Sequence, residues 1–155
     1  MKRLLILMGL LLVLVGCSSL TNKLVSEPPN LKLKTATGTY DTVLGTYCWE
    51  ISTGKSECVD KVGPVDLVKD EKVIEVEKGE TVQFVLDESL RPEVAYLTRI
   101  IDAKEKDVFL SEEYTFVTPD TVGEYIYGFT GKWNLDDKNV SNGDAQYVFK
   151  LKVNE

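Results

Sequence analysis

Apolar residues at alternate positions set the strongest limit on how this chain can fold. In its last stretch, Ala145 to Val153, the residues Tyr147, Phe149, Leu151 and Val153 fall two apart, with Lys150 and Lys152 among the residues between them. Thr81 to Leu86 repeats the pattern: Val82, Phe84 and Leu86 alternate with Thr81 and Gln83. A period of two gives a strand one apolar face, whereas a helix needs a period near 3.6. Other strand-like segments recur between turn residues: Leu31–Thr35, Tyr40–Leu44, Asp66–Val68, Val73–Val76, Val94–Ile101, Val108–Leu110, Tyr114–Val117 and Glu124–Phe129. Amphipathic runs of helical length are nearly absent after residue 30. Strands about ten residues apart with turn signals between them predict an all-β, antiparallel β-sandwich.

Two short motifs narrow this to an immunoglobulin-like sandwich. Val76-x-Lys78-Gly79-Glu80-x-Val82-x-Phe84 resembles the hairpin joining two strands of such domains. Thr121-Val122-Gly123-Glu124-Tyr125 resembles a tyrosine corner, in which the Tyr hydroxyl bonds back to nearby backbone. Thr121 stands where that motif usually has Asp.

The N-terminus carries a different signal. Lys2 and Arg3 precede Leu4–Val15, a run of twelve apolar residues. A bilayer span needs about twenty such residues, so the run fits a signal-peptide core instead. It ends in Leu14-Val15-Gly16-Cys17, which resembles the lipobox of bacterial lipoproteins. The resemblance implies cleavage before Cys17 and a diacylglycerol on its sulfur, with palmitate-class chains. The expected organisation is a signal peptide over 1–16, expected as a signal helix, a lipidated N-terminus and flexible tether over 17–30, and a sandwich domain over 31–155. As flexible coil, the tether reaches roughly 20 Å. The expected location is the extracytoplasmic face of the cell membrane.

With Cys17 lipidated, Cys48 and Cys58 remain, and an even pair outside the cytoplasm reads as a disulfide. Thr46–Ile51 is rich in strand formers, and Ser52-Thr53-Gly54 is a three-residue turn candidate. Pairing Ile51 with Lys55 sets Cys48 opposite Cys58. The nine-residue gap is not the CxxC of redox proteins. Zinc would need two further ligands from a chain that has no His.

The mature region also resembles a group of surface lipoproteins of Bacillus-type bacteria. The residues carrying this are Gly45-Thr46-Tyr47-Cys48-Trp49, Cys58-Val59-Asp60, Gly63-Pro64 and Val140-Ser141-Asn142-Gly143-Asp144-Ala145-x-Tyr147. That resemblance implies a fold and a place, and brings no activity with it.

Charge and residue types exclude several functions. Without Lys2 and Arg3, 16 basic residues face 25 acidic ones, a net charge of −9. Nucleic-acid binding needs clustered Lys and Arg, so no nucleic acid is expected. Anionic head groups would repel the domain, which leaves the lipid as the membrane link. A chain without His has no His general base and no Ser-His-Asp triad. No phosphate-cradling glycine loop is present, and no cofactor is expected. The acidic pairs Asp70-Glu71, Glu112-Glu113 and Asp136-Asp137 read as solvated loop charge, although paired carboxylates are what a glycosidase would use.

Two groups of residues remain as candidate sites. Asp136, Asp137, Asn139, Ser141 and Asp144 are oxygen donors of the kind calcium takes. Their spacing starts like an EF-hand loop, but the glycine comes one place late and no Glu closes it. The same stretch reads as a long hairpin connection with Asn142-Gly143 supplying the turn. Tyr47, Trp49 and Trp133, with Tyr125 and Tyr127, are either a binding face or aromatic pairs inside the core. The expected function is a non-enzymatic binding or accessory module for a protein or envelope polymer outside the cell. The alternatives are an inhibitor or immunity-type protein against an envelope-active enzyme, and a carboxylate-dependent hydrolase of wall sugars.

Overall fold

A computed structural model of the chain describes residues 27–52, 54–102, 104–135 and 141–155. The signal segment 1–16 and tether residues 17–26 lie outside them. The described residues form eleven strands: β1 (Lys32–Lys34), β2 (Thr39–Asp41), β3 (Val43–Ser52), β4 (Lys55–Val59), β5 (Ile74–Glu77), β6 (Thr81–Val85), β7 (Val94–Ile101), β8 (Lys104–Val108), β9 (Thr115–Val117), β10 (Gly123–Leu135) and β11 (Ser141–Asn154). One helical turn, α1 (Pro64–Leu67), lies between β4 and β5. The smaller sheet has the order β2-β1-β6-β9. The larger has the order β4-β3-β11-β10-β7-β8, and β5 runs parallel to the end of β11. All other strand pairs are antiparallel.

The two sheets pack as an all-β sandwich because their alternating residues fill one shared interior. From β6 come Val82 and Phe84, from β1 Leu33, and from β9 Phe116. From β10 come Tyr127 and Phe129, and from β11 Tyr147, Phe149, Leu151 and Val153. Phe84 bridges the sheets, with ring centroids 4.6 Å from Phe129 and 5.7 Å from Phe149. Tyr127 stacks on Phe149 at 5.4 Å. Burial pushes the Tyr147 phenol well above its ordinary pKa, and its hydroxyl donates to the Pro29 carbonyl at 2.6 Å. Pro29 is buried, so the chain is already packed on the sandwich two residues before Leu31.

The strand order is that of an immunoglobulin-like fold. β1-β6-β9 faces β8-β7-β10-β11, and an early strand, β5, pairs in parallel with the last. β2, β3, β4 and α1 form an insertion between β1 and β5. The tyrosine corner is present: the Tyr125 hydroxyl donates to the Thr121 carbonyl at 2.8 Å.

Several local expectations are corrected. The turn at Lys78-Gly79 exists, with Gly79 at φ +64°, yet β5 and β6 belong to different sheets and make no hairpin. Thr118 explains how the chain crosses over. Its hydroxyl donates to the Glu77 carbonyl at 2.7 Å and accepts the Glu80 amide at 2.9 Å. Asp66–Val68 is not a strand: Pro64 starts a helical turn, its fixed φ suiting the first helical position. β8 covers Lys104–Val108 rather than Val108–Leu110. Its alternating charges give no apolar period, and they suit an exposed edge that must not pair with another chain.

Candidate functional site

The β3–β4 hairpin sets Tyr47, Trp49 and Glu57 on the core-facing side of the larger sheet. Trp49 pairs with both Gly143 and Glu57, and Tyr47 pairs with Ala145 and Val59. These side chains, with Leu44, Ile51, Glu27 and Pro28, line a hollow of about 190 Å3. Its wall combines two aromatic side chains with two carboxylates. Among the described residues, neither Glu27 nor Glu57 forms an ion pair.

The wall is held from behind by a second tryptophan. Trp133, Gly143 and Trp49 lie in register on three adjacent strands. The two indoles meet edge to face over the glycine, with centroids 5.2 Å apart. A Cβ at Gly143 would lie 2.6 Å from Trp49 Cε3, so only glycine leaves room for the pair. Gly143 is therefore inside a strand, and Asn142-Gly143 is not the hairpin turn. Both tryptophans are 6 % exposed. The Trp133 indole N–H donates to the Leu90 carbonyl at 2.8 Å, tying the β6–β7 connection over it. Tyr47 and Trp49 thus reach the hollow, while Trp133 supports Trp49 from within the core.

Cys48 and Cys58 are opposite each other and form a disulfide, with Cα atoms 4.0 Å apart. The turn differs from the expected one. Ser52, not Ile51, pairs with Lys55, and a bulge between Glu50 and Ser52 restores the cysteine register. Gly54 is at φ +74°, and its amide donates to the Glu50 carboxylate at 2.9 Å. By strand alternation the bridge lies on the face opposite Tyr47, Trp49 and Glu57. It therefore clamps the hairpin from outside, directly behind the hollow.

Of the calcium candidates, Asp136, Asp137 and Asn139 lie outside the described residues. Asp144 sits in β11, paired with Lys132 and Cys48. Among the described residues no cluster of three or more metal-type ligands occurs. Asp70, Glu71, Glu112 and Glu113 are exposed. No described helix is long and apolar enough to cross a membrane.

Glu57 was missed in the sequence, although the cysteine register, which places it across from Trp49, could have found it. Glu27 and Pro28 had no such signal, since they stand in a polar stretch without periodicity and reach the hollow by tertiary packing alone. No protein-family model matches this chain, and no curated protein is similar to it in sequence.

Proposed function

We propose that this protein is a lipid-anchored binding module on the extracytoplasmic face of the membrane, and that its hollow takes a cationic group of its partner. The observation that carries this reading is the wall itself: two aromatic side chains with two carboxylates that, among the described residues, form no ion pair. Aromatic faces attract cations, and carboxylates strengthen that attraction. A mature charge of −9 favours a basic partner at longer range. The module works by binding, not catalysis.

The anchor places the hollow near the bilayer. Ten residues separate Cys17 from Glu27 at the rim. Even fully extended, they span at most about 36 Å. The partner is therefore a membrane-proximal protein or envelope polymer.

A pull-down from envelope extract tests this. Wild-type protein is expected to retain a partner that Glu57→Lys loses, because the substitution puts a positive charge into the wall. Equal recovery by both would remove the hollow from the account. If the retained partner is an enzyme that loses activity on binding, the module is an inhibitor; retained wall polymer would make it an accessory binder.

A further inference from the structure

The far edge of the larger sheet carries a group of positive charges that the hollow does not use. In the β7–β8 ladder, Arg99 lies directly opposite Lys106, and Ile101 lies opposite Lys104. Leu97, two residues before Arg99, is buried in the core, so Arg99, Lys106 and Lys104 all belong to the core-facing side of the sheet. The carboxylates of β8, Glu105 and Asp107, alternate to the other side. Among the described residues, none of the three cations forms an ion pair. This holds in a chain where acidic residues outnumber basic ones 25 to 18.

Such an arrangement is costly as it stands. Like charges directly opposite in a ladder destabilise it. The Arg99 guanidinium carbon sits 5.3 Å from the Tyr125 ring centroid and beside the Tyr127 hydroxyl. That stacking orients the group but uses few of its donors. The Arg99 Nε is buried and, among the described residues, has no hydrogen-bond partner. A buried N–H without an acceptor is unfavourable, so the group calls for one.

We propose that Arg99, Lys106 and Lys104 form a binding site for a phosphate group. A guanidinium presents its N–H donors as a planar fork that matches phosphate oxygens, and the two ammonium groups of the neighbouring strand β8 add charge. Three cations suit an anion of more than one charge, such as inorganic phosphate or a phosphate monoester near neutral pH. The anion would remove the repulsion between Arg99 and Lys106 and give the Arg99 donors an acceptor. Tyr125 is then a positioning residue, since it holds the guanidinium by its ring face.

Thermal unfolding at constant ionic strength tests this, with inorganic phosphate replacing chloride and glycerol phosphate as a second probe. Phosphate at about 20 mM is expected to raise the midpoint by about 5 °C, because a ligand that binds only the native state stabilises it. Lys106 is exposed, so Lys106→Gln should fold normally. Without anion this variant should melt at or above the wild-type temperature, since a like-charge contact is gone. Its response to phosphate should fall to less than half. A response to inorganic phosphate but not to glycerol phosphate would assign the site to the free ion; a response to both would assign it to a phosphorylated ligand as well. An unchanged wild-type midpoint, or an undiminished response in Lys106→Gln, would overturn the proposal.

Discussion

Phe149→Ala is expected to lower the unfolding free energy by about 3–5 kcal/mol. Phe149 is 2 % exposed and touches both sheets. Its ring lies 5.7 Å from Phe84, 6.2 Å from Phe116 and 5.4 Å from Tyr127. Alanine would remove the ring and leave a void that three neighbouring aromatics are too rigid to fill. A domain of this size has only about 5–15 kcal/mol of stability in all. Urea unfolding should show the midpoint falling with the slope unchanged, as expected when stability changes and the surface exposed does not. A loss under about 1 kcal/mol would mean that Phe149 does not join the sheets.

Replacing both Cys48 and Cys58 by Ser should cost about 3 kcal/mol. The bridge spans a sequence separation of 10, and its main effect is to limit the unfolded chain. A second effect is local. β4 is an edge strand, and all its residues except Val59 are exposed, so little apolar packing holds it in place. Without the bridge, amide exchange across Lys55–Val59 should speed up more than in β10 or β11. Glu57 would lose its fixed place across from Trp49, and partner retention in the pull-down should weaken with it. An unchanged melting point and unchanged exchange in β4 would show that the hairpin is held by something other than the disulfide.

How much of this was readable in the sequence depends on what set each feature. β7 has the predicted bounds, and β6 and β11 follow the predicted alternation, because burial on one face demands a period of two. The cysteine pairing followed from strand geometry, although the turn between them did not: a bulge shifted the register and then restored it. β8 was missed because its KEKDV sequence has no apolar face to bury. The Val76–Phe84 hairpin was misread because a turn fixes chain reversal and not which strands pair: β5 pairs with β11 and β6 with β1 and β9, while Thr118 ties the turn between them. Gly143 looked like a turn residue, whereas its role comes from two indoles that only the folded sheet brings together. The hollow was partly legible, through Tyr47 and Trp49, while Glu57 was missed. Its remaining carboxylate, Glu27, comes from a stretch whose position only packing determines.

We propose that this sandwich stands outside the cytoplasm on a lipid-bearing Cys17. Intact-mass spectrometry of the protein extracted from membranes tests it most directly. The predicted species begins at Cys17, carries a diacylglycerol thioether, and is two hydrogens lighter than the reduced form because Cys48 and Cys58 are joined. A species that retains Met1, or one with an unmodified thiol at Cys17, would contradict it.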